Sequence, residues 1–204
     1  SGIPDPDVNI ALKQIIDRAK RDQVPSDVIK RAIDKAKGGT DENYLPTRYE
    51  GFGPEGSMFI VECLTDNVNR TIAEVRNCFT KTGGKLGING SVVFQFEHQA
   101  VFTLKNVTED EILEVAIEKD LNVKQIEQEE DGITIYGDAT DYSAIKQGLD
   151  ESNYELEYLT DAIMWIPTNE VTITSDDAKQ SIDKLMNLLD QLDDVQDVYH
   201  NINL

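Results

Sequence analysis

The sequence predicts an α+β fold of three domains: an N-terminal helical hairpin, then two α/β domains, one of them ferredoxin-like and inserted in the other. Three observations predict it. Apolar spacing switches from a helical to a two-residue period near residue 46. Residues 100–166 carry the order β-α-β-β-α-β of a split βαβ unit. Residues 168–204 offer a helix and a strand, the two elements that residues 47–97 lack. The boundaries that follow are 1–46 for the helical part, 47–99 plus 168–204 for the first α/β domain, and 100–167 for the insertion.

In VNIALKQIIDRAKRDQ, residues 8–23, Ile10, Ile15, Ile16 and Ala19 share one helical face. Pro25 stops this helix, and Ser26 or Asp27 caps the next. There Val28, Ile29, Ala32, Ile33 and Ala36 form a stripe that Gly38-Gly39 ends. The hairpin's basic residues are Lys13, Arg18, Lys20, Arg21, Lys30, Arg31, Lys35 and Lys37. Asp17, Asp22, Asp27 and Asp34 interleave with them, so a solvated αα-hairpin and a helix-turn-helix both remain open.

TRYEGFGPEGSMFIVECLT, residues 47–65, reads as two strands around a GPEG turn, with MFIVECL the buried one. TDNVNRT opens a helix capped by Asn67 or Asn69. Ile72, Val75 and Phe79 face inward; Arg70, Asn77 and Lys81 share the opposite face with Glu74. The stretch GGKLGINGS, residues 83–91, invites a phosphate-loop reading. It lies after a helix and before a strand, however, and a phosphate loop needs the helix N-terminus that follows a strand. It also matches neither GxxxxGK[ST] nor GxGxxG. It is read as a helix stop and a glycine turn into a strand, SVVFQFE, residues 91–97.

In the insertion, AVFTLK is a strand. TEDEILEVAIEKD is a helix with Thr108 as cap and Glu111 completing a capping box. VKQIEQEE and GITIYGD form a hairpin around Asp131-Gly132. DYSAIKQGLDES is the second helix and LTDAIMWIP the last strand. Short junctions near Gln99 and Pro167 predict limited hinges there. In the tail, SDDAKQSIDKLMNLLDQL turns Ala178, Ile182, Leu185, Leu189 and Leu192 inward, and VQDVYHNI is a final strand that returns to the first α/β domain.

The net charge of −20 is unevenly spread. Residues 1–46 balance 8 basic against 8 acidic side chains and residues 47–99 carry 5 against 6, whereas residues 100–167 carry 4 against 17. Phosphate backbones are repelled by the second half, so nucleic-acid contact is expected in the first. No apolar run approaches the roughly 20 residues of a membrane-spanning helix. Cys63 and Cys78 sit in apolar segments and read as reduced thiols of a cytoplasmic protein. His98, expected at a hinge, and His200 have no companion at metal-ligand spacing, and HExxH, GxSxG and CxxC are absent. The expectation is therefore no enzyme, no metal, no cofactor and no small-molecule substrate.

YEGFGPEG, TDNVNRT, VRNCF, GGKLGINGSV and DDVQDVYHN, in this order along the chain, resemble the YebC/PmpR family, close to its YeeN subgroup. Its mitochondrial relatives act as translational activators of cytochrome oxidase. The resemblance implies three domains, a cytoplasmic location and a role as a DNA-binding transcriptional regulator. It also leaves two alternatives: a ribosome-associated translation factor that contacts ribosomal RNA and relieves stalls, and a scaffold whose acidic domain binds a basic protein. Family members begin with a lysine-rich segment of the HSKWANIK type, so the hairpin here is expected to be a remnant lacking the most basic part. Carried onto this sequence, nucleic-acid contact is expected from the hairpin's basic residues and from Arg70, Arg76, Lys81 and Lys85. Tyr49, Phe52, Asn67 and Asn69 are expected to shape that surface.

Overall fold

A computed structural model describes residues 44–203 together with residues 12, 15, 16, 18 and 19. The chain forms two compact units, Ser1–Tyr44 and Leu45–Leu204. In the first, residues 12, 15, 16, 18 and 19 are helical. Ile15, expected inward, is 65% exposed: Ile15 and Ile16 lie about 100° apart on a helix, and Ile16 is the more covered of the two. The rest of the hairpin reading, with every basic residue named there except Arg18, lies outside the described residues.

The second unit is built on two four-stranded sheets. In the first, β1 (Leu45–Phe52), β2 (Met58–Thr65), β3 (Lys85–Leu86) and β9 (Val195–His200) take the order β3-β1-β2-β9. All neighbours are antiparallel. The two-residue period of MFIVECL explains its burial on both faces. Phe59, Val61 and Cys63 point to helices α1 (Val68–Lys81) and α4 (Asp176–Asp190), packing on Val75, Phe79, Ile182, Leu185 and Leu189. Ile60 points the other way, onto Val92 and Phe96. In the tail, Ala178, Ile182, Leu185 and Leu189 are buried, and β9 pairs with β2 at the sheet edge. A short parallel pair, β8 (Val171–Thr172) with β10 (Ile202–Asn203), fastens its end.

The second sheet, β5-β6-β4-β7, joins β4 (Phe96–Lys105), β5 (Val123–Gln128), β6 (Ile133–Asp138) and β7 (Glu157–Pro167). Helices α2 (Glu109–Glu118) and α3 (Tyr142–Asp150) complete the order β-α-β-β-α-β. Thr108 and Glu111 form the expected capping box. Phe102, Leu104, Ile112, Ile133, Ile135, Ile145 and Leu149 make its core.

Two expectations are corrected here. SVVFQFE is not a strand of its own: Val93–Gln95 is a 3₁₀ turn, and Phe96 opens a strand continuous with AVFTLK. A β period suits this apolar run equally well, but the Gly90, Val92 and Val93 N–H groups bond to a side chain instead of a strand. The junctions near Gln99 and Pro167 are not hinges either. β4 and β7 pair without interruption from Phe96↔Pro167 to Thr103↔Thr160, so a two-stranded ribbon links the sheets. His98, read as a hinge residue, lies within that ribbon, stacked on Trp165 at 4.3 Å between ring centroids.

Candidate nucleic-acid interface

The glycine loop after α1 is held by a carboxylate. The Gly90 and Val93 N–H groups donate to Glu50 at 2.8 and 2.9 Å, and Val92 N–H donates to the same carboxylate. Gly87 N–H adds a bond to the Glu50 carbonyl at 2.7 Å. The loop is thus an anion-binding nest in the physical sense, and its anion is internal. Glu50 is 2% exposed. Burial pushes its carboxyl up, but the three N–H groups and the charge of Arg48 outweigh that and hold it below 4.5. Gly90 takes φ +87°, a conformation that favours glycine, and a Cβ on Gly87 would lie 2.3 Å from the Ser91 hydroxyl and displace it.

Pinned this way, the loop displays what it cannot bury. Ile88 is 81% exposed and Phe94 66%. Lys85 opens the loop with its Nζ 5.5 Å from the centre of the Phe52 ring. Lys81 is exposed in the last turn of α1, and Arg76 is exposed on the same helix. None of these three cations has an ion pair among the described residues.

Among the other expected residues, Arg70, Asn67, Tyr49 and Phe52 make contacts within the scaffold. Arg70 sits eleven residues before Lys81, roughly 16 Å along the axis at 1.5 Å per residue. Its guanidinium is held by Asp66 at 2.7 Å and by both oxygens of Asp194 at 2.7 and 3.0 Å. Asp194 also accepts from Thr65 and Thr71. Burial raises its pKa, and the bonds from Arg70, Thr71 and Thr65 overcome this and lower it. Asn67 caps α1 by accepting the Arg70 N–H. Asn69 is exposed in the first turn. Tyr49 does not shape a surface: it is buried against the helices, its hydroxyl donating to the Val68 carbonyl at 3.4 Å. Phe52 packs with Ile60, Val92 and Phe96 while one side meets Lys85. Arg18 is helical and exposed in the other unit.

Arg70 and Asn67 are therefore latches, and two further motif residues act likewise. Glu55 accepts the Thr174 and Ser175 N–H groups at the start of α4, and Asn201 accepts the Met58 N–H. Neither Ile88 nor Phe94 stands out in the sequence: Ile88 lies in the stretch that reads as a glycine turn, and Phe94 in the stretch that reads as a strand. Only the 3₁₀ turn shows that Phe94 faces out.

The geometry defines an α+β scaffold whose glycine loop exposes Lys85, Ile88 and Phe94. Residues 44–202 match the TACO1/YebC second and third domain, and residues 1–39 match the TACO1/YebC protein N-terminal domain. A "Probable transcriptional regulatory protein" of Pseudoalteromonas atlantica is 51% identical over 201 residues, which cover 98% of this chain and 82% of that one. One of Acholeplasma laidlawii, similarly named, is 50% identical, covering 99% and 83%. The crystal structure of a conserved hypothetical protein from Aquifex aeolicus superposes with a TM-score of 0.74 at 35% identity, covering 99% of this chain and 83% of that one. The chain belongs to the TACO1/YebC family.

Proposed function

We propose that this protein is a DNA-binding transcriptional regulator of the cytoplasm that acts by binding, without catalysis, and that residues 85–94 with the outward face of α1 touch the nucleic acid. The observation that carries this reading is the loop itself. The Gly87, Gly90, Val92 and Val93 N–H groups are already taken by Glu50, so an external phosphate is left to the side chains of Lys81, Lys85 and Arg76 rather than to those amides. Meanwhile the acid of the chain collects in residues 100–167. The names of the relatives support the regulatory role. The division into residues 1–46, 47–99 plus 168–204, and 100–167 belongs to the same proposal, with the first α/β part as the nucleic-acid side.

One observation favours a second reading. An exposed phenylalanine on a loop that Lys85 opens is what unpaired bases stack on, whereas a duplex offers no free base face. Phe94 therefore supports contact with single-stranded or looped RNA, as on a ribosome. The test is direct competition: the full chain is titrated with a DNA duplex and with an unstructured RNA of equal charge. Preference for duplex upholds the regulator reading, and preference for RNA replaces it with the translation reading.

A further inference from the structure

We propose that the groove between α2 and β5 is a docking site for a basic, lysine- or arginine-rich polypeptide segment carrying bulky apolar side chains. The proposal is independent of the nucleic-acid reading, because it concerns the other sheet. A groove of about 520 Å³ lies there, lined among others by Leu113, Ile117, Val123 and Ile126. Leu113 and Ile117 are one helical turn apart and so crown the same face. They are 41% and 81% exposed. β5 is an edge strand, so one side of its backbone carries no strand partner among the described residues. An extended segment laid along it would set alternate side chains against the two residues.

Charge selects the occupant. Residues 109–131 hold ten acidic side chains against Lys119 and Lys124. Both lysines are already engaged, Lys119 with Glu118 at 3.8 Å and Lys124 with Asp138 at 3.4 Å. Glu109 and Asp120 stand on the groove wall itself. A phosphate backbone would be repelled by this rim. A second copy meeting the same face would set acid on acid, since a two-fold interface brings each patch onto its own image. A basic segment meets complementary charge, and its apolar residues cover Leu113 and Ile117.

The probe is a fluorescent peptide, KVKLKVK, titrated into the full chain by anisotropy, with KSKSKSK and EVELEVE as controls. Amide NMR shifts map the site. Binding of KVKLKVK with shifts centred on residues 113–126, about tenfold weaker in 300 mM than in 50 mM salt, is expected. KSKSKSK should bind at least about tenfold more weakly, and so should KVKLKVK to Leu113→Ser/Ile117→Ser. Both changes are at exposed positions, and an unchanged thermal midpoint shows the fold is kept. No binding by KVKLKVK, equal binding by EVELEVE, shifts elsewhere, or full affinity in the double variant would each overturn the proposal. So would concentration-dependent dimerisation that the double variant abolishes, since a second copy would then be the occupant.

Discussion

Replacing Glu50 by Gln separates the role of the glycine loop's shape from that of its charge. The carboxylate divides its work: one oxygen accepts Gly90, the other accepts Val92 and Val93. Gln has one acceptor oxygen. Turned toward Val92 and Val93 it keeps two bonds in neutral form, and its NH₂ then faces the Gly90 N–H, donor against donor. Two bonds weakened by about 1 kcal/mol each and a third removed at about 1.5–3 kcal/mol give about 4 kcal/mol. The amide recovers part of the cost of burying a charge, which leaves a net loss of about 2 kcal/mol. Hydrogen exchange of Gly90, Val92 and Val93 should therefore quicken about 30-fold in Glu50→Gln. Duplex affinity should fall with it. This direction is diagnostic, because removing a negative charge near Lys85 would by Coulomb's law alone tighten binding to an anion. Unchanged protection of the three amides, or tighter DNA binding by Glu50→Gln, refutes the reasoning. The pH dependence has a fixed sign. Folding lowers the Glu50 pKa from 4.5, so its contribution is complete above that value and is lost as the pH falls through the lower folded value. Loop amides should lose protection in that acid window before the helix α4 amides do.

Asp194→Ala leaves the buried Thr65 hydroxyl without its acceptor and Thr71 with its remaining partners, Thr65 and Asn67. Urea unfolding should show a loss of about 2–3 kcal/mol, with the exposed arm to Arg70 left uncounted; a loss under about 0.5 kcal/mol would deny that it is a latch. Phe94→Ala should weaken binding to single-stranded RNA about 5- to 150-fold, as removal of a base-stacking ring does, and barely change duplex binding. Equal loss on both would place Phe94 in a general apolar contact. Burial, with the charges of Asp194 and Glu62, pushes the Cys63 thiol up to about 12. At pH 8 about one molecule in 10,000 then carries the thiolate, so iodoacetamide should spare Cys63 in the folded protein and label it in urea.

The parts legible in the sequence are those encoded locally. Asn67 and the Thr108–Glu111 box announce their helices within four residues, and the α4 stripe is visible as Ala178, Ile182, Leu185 and Leu189. A β-β-α layer without an edge strand needs one, and β9 lies at that edge. The illegible parts are long-range. Arg70 looks like a phosphate ligand until Asp194, 124 positions away, closes on it. Glu50 looks like a solvated strand residue until Gly90, 40 positions on, donates to it. Tyr49 alternates onto the helix side of β1, and which side that is depends on where α1 and α4 pack. Period alone could not show Phe94 outside, since a 3₁₀ turn shifts its side chain off the strand alternation that SVVFQF suggests.

The measurement that tests the central claim most directly is the salt dependence of duplex DNA binding, from 50 to 300 mM, for the full chain and for Lys81→Glu/Lys85→Glu. If these lysines touch phosphates, log–log plots are linear, and the double variant's slope is shallower by about 0.9 for each phosphate it no longer neutralises. Equal slopes and equal affinities for the two proteins, or no duplex binding by the full chain at 50 mM, would contradict the account.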